Sequence, residues 1–536
     1  MGQASSSLAA FFPPWCGQPS PASASVAPRC RLPADLMQHI ALFLPDSATF
    51  FAFLDTFYDD IGSVLGDLRH LHRLGQDDAA FRRGALWPRL CIERSPSQAD
   101  GARLNAAFKY FSTVSIVGGV DLSWVESVTT APRLGLCMND FPEDDSSHGS
   151  WMASCARLPF ASIDAMLFHI DSATIMFHVL PAMTSLTSLH LTFYVHDSCS
   201  YLDYLDDFLP LLPHTSVKSL DVDCDANDDV ALRHACLAPA MVAHVTSWLT
   251  TRRVTHLAFT LWDLPASTNA FFNAWTSAMC PTLTTLKITE SKLTGLADHA
   301  FTSPLALKTL VLDGCDLSEA DQRALSHGMK GARIQHLKLT RLARGFKGLH
   351  VLANWLPHAT QLCQLDILDL PHDHDQLHAF WLALTISSVT SLHVAGQELF
   401  PLAIEYLPRT KLTRLKLRDY HWRGQDARNW QGLGAAMAQC QSLHVVYLFN
   451  NHITDASVNH LAQGLGFNHY LDEIHLNQNY VTPVGAAALI QSLVASSATS
   501  ATRKLSLTRN EVRGQDKPAL LELADAFQGT MHVQIN

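Results

Sequence analysis

Residues 443–453 read Leu443-His444-Val445-Val446-Tyr447-Leu448-Phe449-Asn450-Asn451-His452-Ile453. Residues 471–481 repeat the pattern as Leu471-Asp472-Glu473-Ile474-His475-Leu476-Asn477-Gln478-Asn479-Tyr480-Val481. Both follow L-x-x-L-x-L-x-x-N-x-[IV]. Alternation at Val446/Leu448 and Ile474/Leu476 sets two apolar side chains on one face of a short strand. The asparagine is placed to satisfy backbone groups where the chain turns off the strand. Val458, Leu461 and Leu465 follow the first strand, and Gly485, Leu489 and Leu493 the second, at the spacing of one helix face. A single strand–turn–helix unit cannot bury its apolar face. Stacked units share a continuous core and a parallel row of strands, in which a buried Leu→Ala change costs about 2–5 kcal/mol.

The spacing recurs upstream at Leu186-Leu189-Leu191, Val217-Leu220-Val222, Val254-Leu257-Phe259, Leu283-Leu286-Ile288, Leu307-Leu310-Leu312 and Ile334-Leu337-Leu339. It continues at Leu362-Leu365-Ile367, Val389-Leu392-Val394 and Leu412-Leu415-Leu417. A degenerate copy stands at Leu505-Leu507, and weaker ones at Phe111-Val114-Ile116 and Ile163-Met166-Phe168. The mean period is about 29 residues, the individual steps run from about 23 to 37, and the middle copies lack the asparagine. The pattern resembles the leucine-rich repeat of ribonuclease-inhibitor type over about two-thirds of the chain. The expected fold class is α/β, a leucine-rich-repeat solenoid over residues 111–536 with parallel strands on a concave face and helices on a convex one.

The first third differs. Residues 1–28 hold no charge, six serines and five prolines, so residues 1–30 read as a disordered tail. The opening Met1-Gly2-Gln3-Ala4-Ser5-Ser6 matches the N-myristoylation pattern at Gly2. Acylation and a chance match in a Ser/Ala-rich tail both stay open. One acyl chain would give only weak membrane contact, and Cys16 is the nearest candidate for a second. Then comes Leu32-Pro33-Ala34-Asp35-Leu36-Met37-Gln38-His39-Ile40-Ala41-Leu42-Phe43-Leu44-Pro45-Asp46. Leu36, Ile40 and Leu44 repeat at helical spacing, Pro33 suits a helix start and Pro45 a stop. Asp46 or Ser47 can cap a second helix with the stripe Phe50, Leu54 and Phe57. Ile61, Val64, Leu65, Leu68 and Leu71 mark a third.

These helices resemble an F-box over residues 31–75, with residues 76–110 as linker and capping helices. The resemblance implies docking on the adaptor of a cullin-type ubiquitin ligase through Leu32, Pro33, Leu36, Ile40 and Leu44. Phe53-Leu54-Asp55-Thr56-Phe57 stands where that family carries V-C-x-x-W. Read from the residues alone, a helical cap on the open end of a repeat array is the alternative.

Composition narrows the function classes. The 536 residues are 48% apolar and 16% charged, with a net charge of −11. This excludes an acidic disordered chain and argues against nucleic acid as the main partner. The 12 cysteines are scattered without C-x-x-C, and no N-x-[ST] acceptor occurs. Both suit a reducing compartment. The uncharged run Ser172–Val195 is broken by Pro181 and fits the repeat, so it reads as no membrane span. The expected location is cytoplasmic, with membrane association or a nuclear location left open.

No H-E-x-x-H, G-x-x-x-x-G-K-[ST] or G-x-S-x-G occurs. Gly432-Leu433-Gly434 is half a dinucleotide fingerprint and reads as part of a variable repeat loop. His372-Asp373-His374-Asp375 has metal-ligand residue types but reads as a solvated loop. The expectation is a non-catalytic recognition module with no cofactor and no metal, a monomer within a complex. Its partner face would use the outward strand positions Lys287, His336, Lys338, Arg414, Lys416, Arg418, Tyr447, Phe449 and His475. The basic triplet beside an aromatic strand suits an acidic or phosphorylated segment; a solvated face with scattered charge is the plain alternative. Three functions follow: substrate recognition for a cullin-type ligase, a ubiquitin-independent scaffold tethered through Gly2, or a GTPase-activating regulator.

Overall fold

The computed structural model describes residues 33–58, 64–76, 81–126, 133–138, 145–195, 200–226, 234–265, 268–342, 348–368, 370, 373–395, 399–418, 427–465, 470–495, 503–525 and 531–535. Gly2, Cys16, Leu32, Ile61 and His372 therefore lie outside the described residues. The chain divides into two compact units. One holds residues up to Leu90 together with Pro96–Tyr110, and the other Cys91–Ser95 together with Phe111 onward.

The first unit is helical, with helices Ala34–Leu42, Ser47–Phe57, Leu68–Leu74 and Gln98–Ala107. Asp46 caps the second helix, its carboxylate accepting the Thr49 backbone N–H at 2.8 Å. That helix buries Phe50, Phe51, Phe53 and Leu54. Phe50 stacks on Trp87 at 4.2 Å between centroids, and the Trp87 indole N–H donates to the Leu44 carbonyl at 2.8 Å. A polar knot closes one side. Asp55 takes Arg83 Nη1 at 3.1 Å and Gln76 Nε2 at 3.1 Å, and contacts His72 Nε2 at 2.9 Å.

The second unit is the expected α/β leucine-rich-repeat solenoid. Among the described residues its sheet has 17 strands, and from Thr113–Val117 to Met531–Gln534 the strands pair in parallel. Leu310 stands beside Leu286 and Leu337 in register, and Leu312 beside Ile288 and Leu339. These ladders are buried at every step, and each strand's alternate residues face away from them. Helices or 3-10 turns lie between most successive strands, while Thr285–Thr289 and Thr309–Asp313 are joined without one. The uncharged run Ser172–Val195 spans most of helix Ile170–Val179 and strand Ser188–Val195. Among the described residues no helix is long and apolar enough to cross a membrane.

The asparagines do what their position requires. Asn479 Nδ2 donates to the Leu448 and Leu476 carbonyls at 2.7 and 2.8 Å, while its Oδ1 accepts the Asn451 and Ile453 amides at 2.9 and 3.1 Å. Asn451 Nδ2 reaches the Leu417 carbonyl at 3.0 Å. Asn510 continues the ladder, donating to the Leu476 carbonyl at 2.8 Å. The degenerate copy at Leu505-Leu507 is thus a full unit with its own asparagine.

Three sequence readings change. The repeat at Ile163-Met166-Phe168 is displaced by three residues. Strand Phe160–Leu167 buries Phe160, Ile163, Ala165 and Leu167, and Ile163 and Ala165 pair with Leu189 and Leu191. A small alanine holds the position that leucine marks elsewhere. Gly432-Leu433-Gly434 lies inside helix Ala427–Gln439 rather than in a loop. Asp373 begins a helix instead of sitting in a solvated loop. It is the N-cap of His374–Ile386, accepting the Asp375 and Gln376 amides at 3.0 and 3.2 Å, so its carboxylate is engaged as a cap. Among the described residues no group of three or more His, Cys, Asp or Glu is placed to hold a metal ion.

Candidate functional site

Two surfaces carry the residues singled out above, one in each unit. In the helical unit, helix Ala34–Leu42 buries Met37 and Ala41. The stripe Leu36, Ile40 and Leu44 therefore does not face the core. Leu36 is 43% exposed and Phe43 84% exposed, with Ile40 half-buried between them. Leu36, Ile40 and Phe43 follow i, i+4, i+7, an apolar face turned to solvent. Leu44, past the helix end, is half-buried, and Pro33 is exposed at the N-cap. Phe43 is the residue that the spacing argument missed. It is the C-cap of helix Ala34–Leu42, and its side chain rather than that of Leu44 ends the exposed face.

In the solenoid, a cavity of about 560 Å³ opens on the outward face of the sheet. It runs from strand Thr309–Asp313 to strand Val445–Phe449. Strand geometry fixes what lines it. Lys338, Asp366, His393, Lys416 and Tyr447 occupy one register row, each beside the next. Arg414, Lys416 and Arg418 alternate along strand Arg414–Arg418 with the buried Leu415 and Leu417.

The cavity floor toward its N-terminal end is internally compensated. Asp313 accepts Lys338 Nζ at 3.0 Å, Thr340 Oγ1 at 2.8 Å and Arg341 Nε at 2.8 Å. Partial burial alone would raise its pKa. The donated bonds from Arg341, Thr340 and Lys338 outweigh that and hold the carboxyl down at about 2. Asp366 is similarly lowered: burial opposes ionisation, but His393 and Gln364 favour it. Their contacts are 3.4 Å to His393 Nδ1 and 2.9 Å to Gln364 Nε2.

The C-terminal end is basic and aromatic. Across from the triplet stand Ser391, His393 and Ala395 on one side and Val445, Tyr447 and Phe449 on the other. Lys416 Nζ lies 5.5 Å from the Phe449 ring centroid. Tyr447 stacks on His475 at 4.3 Å with 17° between planes, and His475 Nε2 contacts the Glu473 carboxylate at 2.9 Å. A second cavity of about 390 Å³ shares Lys416, Arg418 and Phe449 with the first and extends to Arg509.

Of the nine residues expected on the partner face, the larger cavity gathers Lys338, Arg414, Lys416, Arg418, Tyr447 and Phe449. His475 is buried, its ring stacked on Tyr447. Lys287 and His336 are exposed on their strands outside the cavity, and His336 Nδ1 contacts Gln364 Oε1 at 3.1 Å. Arg341 and Arg509 were missed. Both sit just after a strand with positive φ, 51° and 57°, where the turn brings the side chain to the rim. The signal available was position, the residue two after L-x-L in each unit.

No family model matches the chain, and no curated protein sequence matches it. Solved structures similar to it include a crystal structure of a TLR13–ssRNA13 complex, at 13% identity and a TM-score of 0.39. The match covers 83% of this chain and 61% of that one, so the chain spans about three-fifths of that protein's length. Another is an internalin, inlF, from Listeria monocytogenes, at 12% identity and a TM-score of 0.27, covering 80% of this chain and 88% of that one. The assignment to an α/β leucine-rich-repeat solenoid stands on this chain's own parallel register and its buried Leu ladders.

Proposed function

We propose that the protein is a non-catalytic recognition subunit. Its outward sheet face holds a protein target, and its first helix docks on the adaptor of a cullin-type ubiquitin ligase. The observation that carries this reading is the exposed Leu36–Ile40–Phe43 face, in the segment whose Leu32-Pro33 and helical spacing resemble an F-box. Large apolar side chains aligned on one helix face at the surface mark a protein-docking site more often than chance exposure. The protein would contribute proximity between target and ligase rather than chemistry.

Tagged protein expressed in cells should co-purify the ligase adaptor. The double variant Leu36→Glu, Phe43→Glu should lose it by at least about tenfold, since each charge would be desolvated in the contact. Both side chains are exposed, so the fold should persist, as judged by circular dichroism. Adaptor recovered equally by parent and double variant, or by neither, would reject the ligase role. Target binding retained in the latter case would favour a ubiquitin-independent scaffold.

A further inference from the structure

The basic strand beside the aromatic strand has a spacing that selects among anionic partners. Arg414, Lys416 and Arg418 are alternate residues of one strand, so their attachment points are about 6.6 Å apart. An extended peptide laid along that strand presents its own alternate side chains at the same interval. We infer that the cavity binds an extended, unmodified acidic segment of a protein target, with carboxylates at alternate positions meeting Arg414, Lys416 and Arg418. This rests on the reading of the sheet face as the target-binding surface.

The charge distribution in the cavity favours this occupant. Asp313 and Asp366 line the same cavity but are already bound, the first by Lys338, Thr340 and Arg341, the second by Gln364 and His393. A polyanion crossing the strands would pass over those carboxylates. One running along Arg414–Arg418 keeps to the basic row. The aromatic side adds to the selection. Tyr447 is braced by its stack on His475, and Phe449 lies under Lys416. Together they form an apolar wall that lowers the local dielectric and strengthens each charge pair. The arginine forks suit carboxylates in two-point contact. A lone phosphate would satisfy one fork and leave the other two cations unused.

The test is fluorescence anisotropy on the full-length protein with three labelled peptides in Gly/Ser flanks. One carries Glu-Ala-Glu-Ala-Glu, the second its isomer Ala-Glu-Glu-Glu-Ala, and the third a single phosphoserine between alanines. The alternating peptide should bind at least about fivefold tighter than the isomer and tighter than the phosphoserine peptide. Its affinity should fall as salt rises. Arg414→Ala with Arg418→Ala should weaken it by about tenfold or more, Arg418→Lys should retain part of the affinity, and Lys308→Ala, exposed outside the cavity, should change nothing. Equal binding of the two isomers, tighter binding of the phosphoserine peptide, or binding indifferent to the double variant would overturn the inference. Thermal melting by circular dichroism separates lost binding from lost fold. The measurement uses no adaptor, so it fails or succeeds independently of the ligase role.

Discussion

Asp313 collects three donors within 3.0 Å, two of them cationic, on a surface where a bare carboxylate would repel an anion. Its carboxyl is held at about 2, below the usual 3.8. A group whose folded value is depressed contributes stability above its unfolded value, and that contribution is lost as pH falls toward the folded one. The window is therefore between about pH 4 and pH 2. Asp313→Asn should melt below the parent at pH 6, and the gap should narrow as pH falls toward 2; a constant gap across that range would contradict the pairing. Asn479 is a second decisive residue. Asn479→Ala strips partners from two amides and three carbonyls. Each buried group left unmade costs about 1–3 kcal/mol, so denaturant titration should show a loss of at least about 3 kcal/mol. The need for an asparagine was legible, because its place after L-x-L is fixed. Its network was not, since the groups it serves lie up to 31 residues away.

Among the elements, helices Ala427–Gln439 and Asp455–Leu465 approach closely through glycine. A Cβ on Gly434 would fall 2.5 Å from the Leu461 carbonyl oxygen, and one on Gly464 would fall 2.5 Å from the Ala435 nitrogen. Glycine to alanine in a helix ordinarily gains up to about 1 kcal/mol. Here the obstacle is backbone that cannot step aside without separating the helices. Gly434→Ala and Gly464→Ala should each lower the melting temperature, whereas Gly514→Ala, with open space around it, should not. The same sequence feature, a Gly-x-Gly, reads as loop when the helix partner is unknown. The offset strand Phe160–Leu167 teaches the same point. Its register is set by pairing with Leu189 and Leu191, and no local rule distinguishes Ala165 inward from Met166 inward.

Across the whole molecule, each solenoid unit touches chiefly its neighbours, so stability is a sum of local terms and adjacent interfaces. Leu448→Ala should cost about 2–5 kcal/mol and raise hydrogen exchange across the strands from Arg414–Arg418 to Glu473–His475. Strands Thr113–Val117 to Ser188–Val195 should keep their protection; a uniform rise along the chain would show instead a single cooperative body.

What the sequence determined by itself was the repeat, and with it the fold class. Period and alternation are local properties, and burying the Leu ladders leaves stacked parallel strands as the economical solution. Most outward positions were legible as the complement of the buried ones, His475 being the exception. Tertiary structure alone decided which of those side chains share a cavity and which acids already hold hydrogen-bond partners. It also decided that helix Ala34–Leu42 turns Met37 and Ala41 inward while Leu36 and Phe43 meet water. Those outcomes depend on neighbours brought close by pairing and packing, at sequence distances that no local pattern encodes.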